Sequence, residues 1–278
     1  MSILFDSLNT RNLDQIFEIN LNQYFRLFAN NAIENSGILE SDYSVQISSG
    51  LNHPDFNAVV QTNLLDNFDE IKNDVDRFFD NTNLPYTWFI TPNSEKMGLY
   101  KELMEHKYRY IGYDMVVGVE LNNIIRNIKT PNSLYIEEVN SKEKLEIWGE
   151  LFIKSRNMRG ITISDFNELF KTVNFEEPYL FKKYIGWLNG EPICGSTLIL
   201  SGGIAVIYDQ TVLPKYKDYG IYEAINVTPL KKAKEMGFKL GLAVTSIGDL
   251  KRLTGIGFKE LFNVKKMVKL NELRRRRR

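Results

Sequence analysis

Two dipeptides constrain this chain more than any other feature. Asn189-Gly190 and Gly202-Gly203 each separate runs rich in β-branched and aromatic residues, and such pairs favour the turns that join adjacent antiparallel strands. They predict three consecutive strands, at about 179–188, 191–200 and 204–212. Directly after the third comes LPKYKDYGIYEAI, Leu213 to Ile225, a basic loop with one glycine. Ile221, Ala224, Ile225, Ala233 and Met236 then recur at helical spacing. Pro229 inside that helix removes one backbone bond, at a typical cost of ~3 kcal/mol, and Gly237 is placed to stop it. A strand at Leu240 to Val244, a short helix at Gly248 to Leu253 and a strand at Lys259 to Leu270 complete the pattern.

Upstream, Leu134 to Val139 reads as a strand, Ser141 with Lys144, Leu145, Trp148 and Phe152 opens a helix, and a shorter helix surrounds Asp165 to Val173. The second half is therefore β-α-α-β-β-β-loop-α-β-α-β. In the first half a broad helical face over 11–34, which includes Ile19, precedes a break at Ser36-Gly37. Strands at 43–47 and 56–62, a helix from Asp69 to Phe79, a strand at Tyr86 to Ile90, a helix from Glu95 to His106 and a strand from Tyr110 to Val119 follow. The class is α+β. Residues 122–133, polar and containing Pro131, read as a linker, which divides the chain into domains at 1–125 and 132–273 and leaves a basic tail at 274–278.

The chain has 278 residues with 43% hydrophobic content, enough for a proper core. Basic and acidic residues balance at 35 each, but Arg274 to Arg278 hold five of the basic ones, so residues 1–273 carry 30 basic against 35 acidic side chains. A mildly acidic body argues against a broad nucleic-acid-binding face, and the terminal arginines read as a disordered tail. Cys194 is the single cysteine, and His53 and His106 are the only histidines, so neither a disulfide nor a structural zinc cluster is expected. No signal peptide or long apolar stretch is visible, and a cytoplasmic protein without a membrane span is the expectation. Cys194 reads as a buried, inert thiol, and the Lys182-Lys183 pair as a solvated face.

The order of elements, with a basic glycine-containing loop between strand and helix, resembles the GNAT N-acetyltransferase superfamily. The loop aligns with that family's pyrophosphate motif, basic-x-x-Gly-x-small, and RLTGIGF, Arg252 to Phe258, resembles its helix ending in a Gly-Phe pair. GLNHPDFNAVV, Gly50 to Val60, and the stretch from Leu84 to Leu121 are similar to the degenerate N-terminal half of bacterial tandem-GNAT proteins. The likeness spans about residues 40–121 and 134–270. It implies an α/β sandwich of two GNAT-like domains, each with a mixed, mostly antiparallel sheet flanked by helices. It also implies an acyl-CoA-dependent N-acyltransferase, with acetyl-CoA as co-substrate, no metal, and an amine-bearing small molecule or peptide as acceptor. The oligomeric state stays open.

The resemblance assigns Lys217, Asp218, Tyr219, Gly220, Ile221 and Tyr222 to the diphosphate, because backbone N–H groups converge on an anion at a helix N-terminus. It assigns Gln210, Thr211 and Val212 to the pantetheine arm and thioester, and Ser246 to the pantetheine. Asp209 is the candidate base, acting through a water; as a bland alternative it is a surface or hairpin-facing acid. The pattern departs from the family at three places. Tyr222 stands where a small residue belongs, Lys217 replaces an arginine and loses its bidentate reach, and Leu253 replaces a proton-donating tyrosine. Two further readings follow: a strand-to-helix turn in a catalytically silent binding module, and an acyltransferase fed by charged tRNA.

Overall fold

The computed structural model describes residues 4–29, 33–63, 67–125, 127–158, 160–171 and 181–269. The arginine tail lies outside the described residues. The class is α+β. The chain forms two compact units: 1–20, 115–167 and 173–262 in one, and 21–114, 168–172 and 263–278 in the other.

In chain order the elements are α1 (Leu13–Arg26), β1 (Ser36–Glu40), β2 (Ser44–Ser49), β3 (Ala58–Gln61), α2 (Phe68–Asp80), β4 (Thr87–Ile90), α3 (Pro92–Lys96), α4 (Leu99–Glu105) and β5 (Tyr108–Glu120). They continue with β6 (Leu134–Glu138), α5 (Lys142–Arg156), α6 (Ile163–Leu169), β7 (Phe181–Leu188), β8 (Glu191–Ser201), β9 (Ile204–Val212), α7 (Ile221–Glu235), β10 (Leu240–Thr245), α8 (Leu250–Thr254) and β11 (Lys259–Lys269). The second half has the order its sequence predicts.

The first half differs in four places. The helix expected over 11–34 ends at Arg26. Ser36 and Gly37, expected as a break, begin β1, whose Ile38 and Leu39 are exposed. The helix expected from Glu95 to His106 is interrupted by Gly98 at φ 86°, a left-handed position that ends one helical run and caps the next. Ile19, counted on the apolar face, points to solvent, while Phe17 and Leu21 are buried.

Each unit contains one parallel strand pair, joined through a helix and flanked by antiparallel neighbours. In the first-half unit the order is β1-β2-β3-β4-β11, with β3 and β4 parallel and α2 between them. In the other it is β5-β10-β9-β8-β7-β6, with β9 and β10 parallel and α7 between them. Each sheet thus takes one strand from the other half of the sequence: Lys265, Lys266 and Met267 of β11 pair with Ile90, Phe89 and Trp88, and Met115 to Glu120 of β5 pair along all of β10.

The core of the β9/β10 unit is built from β7, β8, β9 and β10 against α7, with Leu198, Ile207, Ile221, Ile225, Leu230 and Ala243 all fully buried. Its α7 runs through Pro229. The carbonyl left without a helical donor is that of Ile225, and the hydroxyl of Ser196 on β8 donates to it at 3.0 Å.

Candidate active site

Helix α7 begins at Gly220, which has φ 70° and provides no side-chain cap. The loop leading to it tightens through bonds from Tyr216 N–H to Leu213 C=O and from Lys217 N–H to Pro214 C=O. A β-carbon on residue 220 would lie 2.2 Å from the carbonyl oxygen of Lys129. The glycine is therefore required twice, by its left-handed backbone and by the close passage of the 127–130 segment.

The loop's charges are engaged. The Lys217 ammonium lies 3.5 Å from Asp249, and Arg252 donates to Asp218 at 2.7 Å while also lying 3.6 Å from Asp249. Ser246 donates to Asp249 at 3.1 Å. Two cations and two carboxylates thus form one cluster, with no net charge to offer an anion unless a pair opens.

Beside this cluster the parallel pair forks. Register pairs between β9 and β10 run from Ala205–Gly241 to Ile207–Ala243 and stop there. β9 continues to Val212 alongside β8 alone, through a bulge between Gly195 and Thr197 that puts Asp209 at φ 57°. A hydrogen-bonded chain spans the fork. Gln210 Nε2 donates to Asn226 Oδ1 at 3.1 Å, Asn226 Nδ2 donates to the Tyr222 carbonyl at 2.8 Å, and the Tyr222 hydroxyl bonds Thr245 Oγ1 at 2.8 Å. Burial raises the Tyr222 phenol pKa well above its ordinary value, with the Thr245 bond acting in the opposite direction.

Asp209 is directed elsewhere. Its carboxylate is buried and accepts from Thr197 Oγ1 at 2.8 Å, and Thr197 accepts from the Lys183 ammonium at 2.9 Å. The direct Lys183–Asp209 separation is 3.8 Å. Lys183 Nζ also sits 3.6 Å from the centroid of the Trp148 ring, which stacks on Phe152 and Phe166. Burial lowers the Lys183 pKa to about 8, with Asp209 opposing the shift and Arg156 adding to it.

These positions answer the sequence expectations residue by residue. Lys217, Asp218 and Ser246 converge around Asp249, and Gln210 and Tyr222 are joined through Asn226. Thr211 is reached by the Ser155 hydroxyl at 3.3 Å, and Val212 is buried in the core. Tyr219 is 58% exposed, whereas Ile221 and Tyr222 are buried. Asp209 is no surface acid but faces the β7–β8 hairpin, against Thr197 and Lys183. Lys183, expected on a solvated face, is buried, because strand alternation turns it inward beside Lys182, whose ammonium meets Glu138. Cys194 is buried, its thiol pushed up to about 12 by desolvation.

Sequence reading missed Asn226, Thr245, Asp249, Arg252, Thr197 and Lys183. Asn226 had left a signal, as a polar side chain on the apolar face of the Ile221 to Ala233 pattern. Among the described residues, no helix is long and apolar enough to cross a membrane.

No family model matches the chain, and no curated protein does. Solved structures do. The chain is similar to a GCN5-related N-acetyltransferase from Kribbella flavida at 12% identity and a TM-score of 0.67, over 91% of this chain and 95% of that one. A GCN5-related N-acetyltransferase from Sphaerobacter thermophilus is similar at 11% identity and a TM-score of 0.62, over 84% and 82%. A tandem GNAT protein from the clavulanic acid biosynthesis pathway is similar at 9% identity and a TM-score of 0.54, over 93% and 95%. At such identities the likeness is one of backbone architecture, and on that architecture the chain has a GNAT-like fold.

Proposed function

We propose that the protein is an acyl-CoA-dependent N-acyltransferase, with acetyl-CoA as donor and an amine-bearing small molecule or peptide as acceptor, and that residues 132–273 bind the donor. The observation that carries this reading is the fork between β9 and β10, which opens beside the side-chain-uncapped N-terminus of α7. A thioester arm suits the edge of β9 past Ile207, where Gln210, Thr211 and Val212 have no β10 partner in the register. A diphosphate suits the α7 terminus, where helix donors and dipole favour negative charge. We take the protein to be cytoplasmic, a compartment that keeps a thiol such as Cys194 reduced.

Acetyl-CoA supplies an activated acyl group; the chain's part is to hold it, deprotonate the acceptor and protect the reaction from water. Lys217 and Arg252 are the cations for the diphosphate, and binding draws them from Asp249 and Asp218. Asp209, whose carboxylate is buried, accepts the proton of the acceptor ammonium through a water. Leu253 is fully buried and has no proton to give, so the leaving thiolate takes one from a hydroxyl such as that of Tyr222 or from water.

A second reading is favoured by the Lys129 carbonyl at Gly220 and the neutral loop: a catalytically silent binding module whose loop is already closed by its own chain. Thermal unfolding with and without acetyl-CoA separates the two. A ligand that binds only the native state, present at 100 times its dissociation constant, stabilises by about 2.7 kcal/mol. A raised midpoint supports the transferase, and an unchanged midpoint at millimolar acetyl-CoA supports the silent module.

A further inference from the structure

A buried pair of opposite charges, Lys183 and Asp209, lies at the β9 bulge. Three adjacent strands each contribute one polar side chain to it, Lys183 from β7, Thr197 from β8 and Asp209 from β9, and all three are buried. Burying a charge is costly unless it is paired and hydrogen-bonded. The pairing here runs through a bridging hydroxyl, with bonds of 2.9 and 2.8 Å in sequence, while the direct approach of ammonium to carboxylate is 3.8 Å. With Lys183 as the ammonium, Lys183 donates to Thr197 and Thr197 donates to Asp209, so the three groups form a chain through one rotatable hydroxyl. The chain ends at the bulge, where Asp209 holds a left-handed backbone conformation uncommon for a residue with a side chain.

We propose that Lys183 is the positioning residue for Asp209, and that with Thr197 it forms a buried relay that fixes the carboxylate at the bulge and receives the proton Asp209 removes from the acceptor. The proposal rests on the acyl-transfer reading and extends it. The proton balance is simple. An N–H bond of the acceptor ammonium breaks and an O–H bond forms on Asp209. With Lys183 as the neutral amine the Thr197 hydroxyl turns from Asp209 to the lysine nitrogen; the Asp209 proton then passes to the Thr197 oxygen as the Thr197 hydroxyl proton passes to the Lys183 amine, which becomes an ammonium. The acceptor nitrogen is left with the lone pair that attacks the thioester.

The surroundings suit a lysine that changes charge near neutrality. Burial lowers its pKa to about 8, the range in which a lysine serves as an acid-base group. Among the described residues, the charged groups that act on it include Asp209 on β9, which favours the ammonium, and Arg156 on α5, which disfavours it. The carboxylates of β6 are engaged elsewhere, Glu137 with Lys144 at 2.8 Å and Glu138 with Lys182. The Trp148 face stabilises the charged form by a cation–π contact.

The test follows the Lys183 side chain directly in the full-length protein, by the pH titration of its Cε and Nζ resonances, assigned by their loss in Lys183→Arg. Wild type is expected to titrate about two pH units below an exposed lysine. Asp209→Asn is expected to lower the midpoint further, by about one pH unit or about tenfold in proton affinity, and Thr197→Val to shift it while Thr197→Ser leaves it in place. Saturating acetyl-CoA is expected to move the resonance.

A midpoint unchanged by Asp209→Asn and Thr197→Val in folded protein overturns the relay. So does a raised unfolding temperature with acetyl-CoA that leaves the Lys183 resonance unmoved, and in that case the transferase reading survives alone. No rise in unfolding temperature overturns the transferase reading and the proposal with it.

Discussion

The Ser196 hydroxyl donates to the carbonyl of Ile225, at 3.0 Å, in place of the backbone N–H that Pro229 lacks. A proline and a serine far apart in sequence are therefore one structural decision. Ser196→Ala leaves a buried carbonyl without its donor and is expected to lower stability by about 1–3 kcal/mol. Pro229→Ala restores the helical donor, so the double variant should recover most of that loss. A double-mutant cycle by urea unfolding checks it, and additive losses would dissociate the two residues.

Gly220 is fixed by backbone conformation and by the Lys129 carbonyl, whether or not a ligand binds. Gly220→Ala is expected to destabilise the protein by about 1–3 kcal/mol through left-handed strain, with the contact to residue 129 adding to it. Urea unfolding in the absence of any nucleotide measures this. An unchanged midpoint would mean that the 127–130 segment gives way without cost.

Lys183 carries a pH signature in stability as well as in its own resonance. Its folded pKa of about 8 lies below the ordinary 10.5, so between those values the unfolded chain holds a proton that the folded chain has lost. Stability from this group rises with pH across that window and is absent below it. Wild type compared with Lys183→Met by denaturant unfolding at pH 7, 8, 9 and 10 should therefore gain stability relative to the variant as pH increases. A constant difference would show that burial of this lysine has no titration consequence.

The unit that contains β3 and β4 has its own half-buried charge network. Asp76 accepts from Lys72 at 2.9 Å, from Lys269 at 2.7 Å and from the Tyr86 hydroxyl at 3.1 Å. Burial alone raises the Asp76 carboxyl, but the two lysines outweigh it and hold its pKa below the ordinary 3.8. A depressed carboxyl contributes stability that is complete above its unfolded value and is lost as pH falls through the folded one. Asp76→Asn is expected to be less stable than wild type at pH 7, with the gap closing in acid below pH 4. Circular dichroism during acid titration reads the effect, and a gap that stayed constant to pH 2 would refute the pairing.

Local chemistry was the legible part of this sequence. Asn189-Gly190 and Gly202-Gly203 located four strand ends within a few residues, because turn geometry at positive φ is a property of the residues themselves. The basic loop before α7 was visible for the same reason. Nonlocal pairing was not legible: a β-branched run such as Tyr108 to Glu120 announces a strand but carries no record of which strand it lies beside. Lys183 shows the same limit at the site, since a lysine in a strand becomes half of a buried relay only when Thr197 and Asp209 arrive from two other strands. Asp249 and Arg252, which neutralise the loop, come from the helix after β10 and share no sequence neighbourhood with Lys217.

The partner of β4 is made late. Trp88, Phe89 and Ile90 pair with Met267, Lys266 and Lys265, so during synthesis this apolar edge waits while the intervening chain is translated, on the order of ten seconds or more at ordinary ribosome speeds. An unpaired apolar edge is a template for aggregation while it waits. A ribosome that stops anywhere between β4 and β11 therefore releases a first-half sheet still open at β4, and such truncated products are the ones a cell would have to chaperone or destroy.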